Sequence, residues 1–359
     1  MAWLISLFVI GLLILVHELG HFLVARKAGV RIMRFSIGFG PSVFRWRRGQ
    51  TEYVLSALPL GGYVRMAGEH RAELKHAPWE FLSQPPGIRA RIILAGPGVN
   101  YLVSIATLWL VLVIGYPELL PTVGRLIEGM PAKEAGIQVG DRILSVSGVS
   151  VRTWNELTRI VHRTPNQSLS FEVERAGQTL MIPVTPAPKA ITDPFGRSRT
   201  IGLVGIGPSG AFETYRVSPL EAIGKTATKQ LEWMGQIGLS LWALVTGRVS
   251  MQESLTGPIG IIYMTSEAAR MGLGPLLYLV SIFSLSLALF NLFPIPVLDG
   301  GHLVFLAIEK IRGIPVSGSV QEKMTQLSLT VLVALVVLVC VSDVYRFGLV
   351  EKFLEWWRD

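Results

Sequence analysis

The sequence predicts a multi-pass α-helical membrane protein with four transmembrane helices, a cytoplasmic-side β-hairpin region and a small α+β domain inserted outside the membrane. Half of its 359 residues are hydrophobic and only 16% are charged, whereas an ordinary soluble chain has about a quarter charged residues. The mean hydropathy is +0.48. The apolar residues lie in long uncharged runs, and the basic residues cluster between the first two runs. These observations exclude a single soluble globular enzyme.

The uncharged runs predict the helices. They cover 2–16, 92–117, 271–298 and 324–342, and a helix needs about 20 apolar residues to cross the hydrocarbon core. The first run reaches that length by continuing to Ala25. A cleaved signal peptide is the alternative for this segment, but it has no basic start and carries ionisable residues where a cleavage site should be.

Charge predicts the orientation of the helices. Residues 25–91 hold twelve Lys and Arg against four acidic residues, whereas 117–270 are nearly balanced, with fifteen against thirteen. Because cytoplasmic loops carry the basic excess, we expect 25–91 in the cytoplasm and both termini outside. The lipid bilayer accounts for this bias, so no nucleic acid partner is needed. The single cysteine, Cys340, excludes an internal disulfide and a cysteine-rich zinc site.

Two regions outside the helices have readable patterns. Residues 30–68 contain β-rich runs broken by glycine and proline, which predict hairpins lying against the membrane. Residues 121–187 alternate strand-like and helix-like stretches and include Gly140-Asp141-Arg142-Ile143-Leu144. That order resembles a bacterial PDZ domain, which takes a peptide or protein segment by adding a strand to its sheet. The alternative is another small β-rich domain.

The predicted domain organisation follows from these patterns. The segments are transmembrane helix 1 (1–25), the basic cytoplasmic loop (26–91), transmembrane helix 2 (92–117), the PDZ domain (118–188), a linker with an amphipathic membrane-surface segment (189–270), transmembrane helix 3 (271–298), a cytoplasmic loop (299–323), transmembrane helix 4 (324–345) and an extracytoplasmic tail (346–359).

The first helix carries the sequence His17-Glu18-Leu19-Gly20-His21. Residues four apart lie on one helix face, so both imidazoles can reach one metal ion. Glu18 is placed beside them, where it can accept a proton from an attacking water. Ionisable residues inside an apolar spanning helix are energetically costly and indicate function. The alternative is an internally paired polar cluster.

A catalytic zinc takes three protein ligands, so one is missing from this motif. Asp299 is the candidate, because it follows an uncharged run and would otherwise be a lone carboxylate near the membrane. The predicted orientation places it near the cytoplasmic end of its helix, as it places the two histidines. His302, three residues further on, is a rival ligand that we expect to form local bonds instead.

His-Glu-Leu-Gly-His in a first transmembrane helix, with the sequence NLFPIPVLDGGH at 291–302, resembles the site-2 protease family of intramembrane zinc metalloproteases. The similarity to its regulator-of-sigma-E branch extends to FSIGFGP, LPLGGYVRMAGE, AGPGVN and LTGPIGI. The resemblance implies that His17, His21 and Asp299 bind Zn²⁺, that Glu18 is the catalytic base, and that Asn291, Pro294 and Pro296 hold the substrate. The best-known members carry tandem PDZ domains, whereas this chain has room for one.

The resemblance implies single-pass transmembrane substrates, such as anti-sigma factors and remnant signal peptides, cut in the inner membrane after their outer domain has been trimmed. A peptide bond inside a helix is shielded by the hydrogen bonds of that helix, so the substrate must unwind locally before it is cut. The β-rich loop at Gly61, Gly62 and Tyr63 could pair with the unwound strand of the substrate. Asn291 could instead form an interhelical hydrogen bond. The alternative functions are a non-catalytic PDZ receptor or scaffold with a structural zinc, and a metal transporter. The complete motif favours the enzyme.

Overall fold

The structure is a computed structural model that describes residues 2–192, 198–248 and 256–346. The chain forms two compact units. We call Met1–Val111, Ile223–Leu239 and Ser250–Asp359 the membrane unit, and Leu112–Ala222 with Ser240–Val249 the α+β unit. The tail predicted at 346–359 lies, from residue 347 onward, outside the described residues.

The elements alternate between long helices and short strands. The helices are α1 (Ala2–Lys27), α2 (Pro86–Ile114), α3 (Pro131–Glu134), α4 (Trp154–Arg163), α5 (Pro219–Val245), α6 (Pro258–Met271), α7 (Leu273–Asn291), α8 (Asp299–Arg312) and α9 (Gly318–Arg346). The strands are β1 (Ile32–Arg48), β2 (Thr51–Met66), β3 (Tyr116–Leu119), β4 (Val123–Leu126), β5 (Arg142–Val146), β6 (Val149–Ser150), β7 (Leu169–Arg175), β8 (Gln178–Val184), β9 (Ala187–Thr192), β10 (Ser198–Leu203), β11 (Ile206–Pro208) and β12 (Phe212–Tyr215).

Within the described residues, four helices are long and apolar enough to cross a membrane, namely α1, α2, α7 and α9. Their number agrees with the sequence prediction. The bounds of α2 and α9 differ from it, because both helices begin about six residues before the predicted segments. The uncharged runs measure apolar composition, whereas a helix continues through charged residues such as Arg89 wherever its backbone bonds can form.

The predicted third helix over 271–298 is wrong as one continuous element. Gly272, with φ of +118°, separates α6 from α7, and α7 ends at Asn291. The turn that follows contains Pro294 and Pro296, whose rings remove backbone donors and prevent the helix from continuing. Asp299 therefore starts the separate helix α8, within the segment predicted to be a loop at 299–323.

The predicted hairpin region forms one sheet from two long bent strands. Ser36 pairs with both Tyr63 and Val54, so each strand folds back and contributes two segments. From one edge of the sheet to the other, the segments follow the order 62–66, 32–37, 51–55 and 42–48. The bend in β2 rests on α1, since a Cβ at Gly61 would lie 2.7 Å from Ile14 Cγ2 and the φ there is +121°. Glycine is required at this position because other residues rarely adopt that conformation.

The α+β unit is built on an antiparallel sheet with the strand order β6-β5-β7-β8. Its core includes Ile143, Leu157 and Phe171, each at most 1% exposed. Helix α4 covers the core with its apolar face and is capped by Thr153, whose hydroxyl accepts the Glu156 N–H. The comparison with PDZ domains stays a prediction for this unit.

The predicted domain end at 188 is wrong, and so is the predicted linker. β11 pairs with β4, β12 pairs with β3, and β9 pairs with β10. Val204, only 3% exposed, belongs to the same core as the sheet. These strands have at most six residues each, so they lack the alternation that marks longer strands. The helix α5 lies within the segment 189–270, which was predicted to include an amphipathic membrane-surface stretch, and α5 is not among the candidate spans.

Candidate metal centre

The two histidines of α1 are buried and adjacent. His17 is 7% exposed and His21 is 8% exposed, and their Nε2 atoms are 3.1 Å apart. The helix places both rings on one face because they are four residues apart. The predicted pair is therefore brought together within a helix that is long and apolar enough to span a membrane.

Asp299 reaches the same point from the start of α8. Its Oδ2 atom lies 3.1 Å from Nε2 of His17 and 3.4 Å from Nε2 of His21. Gly300 and Gly301 permit this approach, because a Cβ at either would overlap the backbone of the preceding turn at 292–296. An ion pair between Arg89 on α2 and Glu309 also ties α8 in place.

Helix α2 supports the cluster from the other side. A Cβ at Gly96 would overlap His21 Nε2 and lie 2.7 Å from Cε1 of His17. The Ile92 carbonyl oxygen is 2.8 Å from His21 Nδ1. Because a carbonyl can only accept, Nδ1 carries the proton and Nε2 keeps a lone pair directed at the cluster. Pro97 lies inside α2 and loosens the helix there by removing a donor.

The three atoms fit a zinc ion. Among the described residues, the only group of histidine, cysteine or acidic residues with metal-ligand spacing is His17, His21 and Asp299. Asp299 Oδ2 is buried and forms no hydrogen bond within the described part of the chain. A zinc ion bound tetrahedrally at about 2.1 Å from each ligand holds the ligand atoms about 3.4 Å apart. Three protein ligands also leave the fourth position open, as catalytic zinc sites require.

Glu18 lies next to the cluster and is held by the sheet. Its Oε2 atom accepts a hydrogen bond from the Val64 N–H at 3.2 Å. Val64 also pairs with Phe35 of β1, so the sheet fixes the position of the donor. The carboxylate of the predicted base is thereby oriented from β2 rather than from its own helix.

The other predicted site residues lie around this cluster. Asn291 is the last residue of α7, and Pro294 and Pro296 are in the turn before α8. Gly61, Gly62 and Tyr63 are on β2, beside α1. Their substrate-binding role stays a prediction. His302 lies outside the three-residue group and contacts the Phe305 ring, with the ring centroids 6.4 Å apart.

Sequence reasoning did not assign the supporting groups of α2, namely the Ile92 carbonyl, Gly96 and Asn100. Asn100 is fully buried, and its Nδ2 is 3.3 Å from His17 Nδ1. The signal was present in AGPGVN at 95–100, where a glycine and an amide occur one turn apart inside an apolar run. Nothing in the residues themselves indicated which helix they would face.

Comparisons with known proteins agree with this geometry. The model of peptidase family M50 matches residues 5–335. The regulator of sigma-E protease RseP from Escherichia coli is 32% identical over 454 residues, covering 96% of this chain and 99% of that protein. The zinc metalloprotease RasP from Geobacillus kaustophilus is 30% identical over 419 residues, covering 95% of this chain and 97% of that protein.

A solved structure was also matched. The PDZ domain of an SdrC-like protein from Listeria innocua is 20% identical over 25% of this chain and 92% of that domain, with a TM-score of 0.20. That likeness is too low to bear on the fold.

The family match confirms the predictions of zinc as the cofactor and of proteolysis as the activity, and it removes the scaffold and transporter alternatives. It covers nearly the whole chain, including the segments that bear His17, His21 and Asp299. The chain is therefore an intramembrane zinc metalloprotease that belongs to peptidase family M50, the site-2 protease family.

Proposed function

We propose that this protease cuts the transmembrane segment of single-pass membrane proteins after their outer domain has been removed. The observation that carries the proposal is the convergence of three ligand atoms, 3.1–3.4 Å apart, on a helix long and apolar enough to span a membrane. A peptidase site on a membrane-spanning helix can reach peptide bonds that lie within the membrane. The name of the E. coli relative, a regulator of sigma-E protease, makes anti-sigma factors one candidate substrate class; remnant signal peptides are another.

His17, His21 and Asp299 would hold the zinc ion in this proposal. When bound, zinc lowers the pKa of water and stabilises negative charge on a carbonyl oxygen. Glu18 accepts the proton from the attacking water and passes it to the leaving amine. Its hydrogen bond to the Val64 N–H orients the carboxylate before the substrate binds.

The edge of β2 offers a place for the unwound substrate. Val64 directs its N–H to α1 rather than to β1, so it occupies a non-hydrogen-bonded position of the ladder. Gly62 shares this orientation because the strand period is two residues. An extended substrate can add to this edge as a further strand and accept the Val64 N–H in place of Glu18. Gly61, Gly62 and Tyr63 would then contact the substrate backbone.

The turn between α7 and α8 would close the site. Asn291 ends α7, and its amide can bond to the substrate backbone. Pro294 and Pro296 keep the turn from continuing as a helix, which leaves room beside Asp299. The alternative for Asn291 is a hydrogen bond between helices.

The charge distribution supports a topology for the chain. With twelve basic residues, segment 25–91 lies in the cytoplasm, and both termini and the α+β unit lie outside. That unit, if it is a PDZ domain, would bind a peptide or protein segment and exclude substrates whose outer domain is still complete. The alignment with the E. coli relative spans 454 positions, more than the 359 residues of this chain, so that relative contains insertions that this chain lacks.

Co-expression with tagged single-pass proteins tests the proposal. Glu18→Gln should lower cleavage by about 10²–10⁴-fold and leave zinc content unchanged, because it removes the base without touching a ligand. Glu322→Gln is the matched control, since Glu322 is exposed on α9. Cleavage by Glu18→Gln at the wild-type rate would overturn the assigned base.

A further inference from the structure

Asn100, in the membrane unit, has a buried side-chain amide with only one of its two polar atoms in a hydrogen bond. It is fully buried on α2, one turn after Gly96. Its Nδ2 atom is 3.3 Å from Nδ1 of His17, whereas its Oδ1 atom is buried without a hydrogen-bond partner among the described residues. Its backbone carbonyl accepts the Ser284 hydroxyl at 2.7 Å, so the residue is fixed between α2 and α7.

The orientation of this amide decides which nitrogen of His17 carries the proton. A neutral imidazole has one N–H donor and one acceptor. When Nδ2 of Asn100 donates to Nδ1, the proton of His17 is on Nε2, which then has no lone pair for a metal. When the amide is rotated by half a turn, Oδ1 accepts from Nδ1–H, and Nε2 of His17 is free to bind zinc.

His21 offers no such choice. Its Nδ1 faces the Ile92 carbonyl at 2.8 Å, and a carbonyl oxygen only accepts. The lone pair on Nε2 of His21 is therefore fixed by the backbone of α2. One histidine of the cluster is permanently in the metal-binding tautomer, whereas the other depends on a side-chain amide that has two orientations of nearly equal shape.

We infer that Asn100 is a positioning residue that sets the tautomer of His17, and that its amide rotates to present Oδ1 to His17 Nδ1 when zinc binds. The inference rests on the proposed ligand set. It assigns Asn100 no contact with the substrate or the reacting atoms. Partners of this kind typically change metal affinity by about 10–100-fold.

Zinc dissociation constants of the full-length Glu18→Gln chain, measured by chelator competition, test the role without using activity. Asn100→Ala should bind zinc about 10–100-fold more weakly. Asn100→Asp keeps two acceptor oxygens and should restore the affinity to within about threefold of the parent chain, as in a carboxylate–histidine–zinc arrangement. Equal affinity of Asn100→Ala and the parent, or no rescue by Asn100→Asp, would overturn the inference.

Ser104→Ala is the control for a purely structural role. The Ser104 hydroxyl is buried, lies 3.1 Å from the Ser281 hydroxyl and accepts from Gln230 Nε2 at 2.8 Å. It bonds neighbouring helices as Asn100 does, but it does not contact a histidine of the cluster. Ser104→Ala should lower thermal stability without changing zinc affinity. If it weakens zinc binding as much as Asn100→Ala does, the effect of Asn100 is structural.

Nitrogen NMR of ¹⁵N-histidine-labelled chain provides a test that needs no variant at Asn100. With the His17 signals assigned by comparison with His17→Gln, Nδ1 should be protonated in the zinc-loaded protein and Nε2 in the zinc-free protein. An unprotonated Nδ1 with zinc bound would overturn the inference. If His17→Gln retains full zinc affinity, the proposed ligand set fails; if it loses affinity and Asn100→Ala does not, only the role of Asn100 fails.

Discussion

Asp141 in the α+β unit and Asp299 in the membrane unit both place carboxylate oxygens out of contact with solvent, yet those oxygens meet different neighbours. Asp141 is 1% exposed and accepts two hydrogen bonds from Arg175 at 2.7 Å and one from the Gln138 N–H at 2.9 Å. Asp299 Oδ2 forms no hydrogen bond with the described residues and instead faces two imidazole nitrogens.

The difference supports the proposal that Asp299, unlike the structural carboxylate Asp141, is a metal ligand. A buried charge is tolerated when hydrogen bonds and an opposite charge satisfy it, and Asp141 meets both conditions within its own unit. Asp299 Oδ2 receives no hydrogen bond from the described residues and faces two imidazole nitrogens. A cation between the carboxylate and the histidines would satisfy its charge. The residue type does not distinguish the two sites; the satisfaction of individual oxygen atoms does.

The largest effect in this comparison should come from Asp299→Ala. Loss of one of three protein ligands should weaken zinc binding by at least about 100-fold, more than the loss of a supporting hydrogen bond, and cleavage should fall below detection. Metal analysis of the purified chain and chelator competition measure the first effect, and cleavage of a co-expressed single-pass protein measures the second.

His302→Ala is the matched control, because His302 lies on the same helix as Asp299 but outside the three-residue group. It should keep both zinc and cleavage. If zinc is retained in Asp299→Ala and lost in His302→Ala, the rival ligand is the correct one and the contrast with Asp141 has no basis.

A smaller effect is expected at the contact between α2 and the histidines. Gly96→Ala should reduce zinc affinity and cleavage by about 10–100-fold, because its Cβ would overlap His21 Nε2 and a misplacement of about 1 Å is costly in an active site. Gly98→Ala is the control, since a Cβ there meets nothing within 4 Å.

Both variants gain about 1 kcal/mol of helix propensity, so thermal unfolding separates helix stability from the contact. Gly98→Ala should be neutral or slightly more stable, with normal zinc binding. Equal zinc affinity in the two variants would show that α2 does not constrain the metal centre.

The same comparison shows how far sequence reasoning reaches. The periodicity of His17 and His21 and the long uncharged runs follow from local rules, so the spanning helices and the histidine pair were predictable. The helix break before Asp299 was predictable from Pro294 and Pro296, which remove backbone donors, but the uncharged run placed the helix end at 298 instead of Asn291. Asn100 and the Ile92 carbonyl could not be assigned, because their role arises only when α2 packs on α1. In the region of β9–β12 the sequence indicated only one short strand, at 201–208, because strands this short do not show which partners they pair with.

Substitution of Asp141 should affect the stability of the α+β unit and not the metal centre. Asp141→Asn removes the charge that Arg175 contacts through two hydrogen bonds. It should destabilise the α+β unit by about 1–3 kcal/mol and leave zinc content and affinity unchanged. Hydrogen exchange of the β5 and β7 amides in the full-length chain measures the loss of local stability. A fall in zinc affinity in this variant would contradict the separation of the two sites.

The pH dependence of that stability should have a definite sign. Burial alone would raise the pKa of Asp141, but the Arg175 hydrogen bonds, the Gln138 N–H and the Arg175 charge together hold that pKa below its ordinary value of 3.8. A carboxylate with a lowered folded-state pKa stabilises the protein above its unfolded-state pKa, and the contribution is lost as the pH falls through the folded-state value. Exchange protection of β5 and β7, corrected for intrinsic rates, should therefore be retained down to about pH 4 and decline below it.

Two variants test which carboxylate causes this decline. Glu128→Gln, at an exposed carboxylate paired with Lys133, should show the same decline as the parent chain, whereas Asp141→Asn should lose the part of the decline that protonation of Asp141 causes. Identical profiles for all three chains would show that Asp141 is not the group whose protonation weakens the unit.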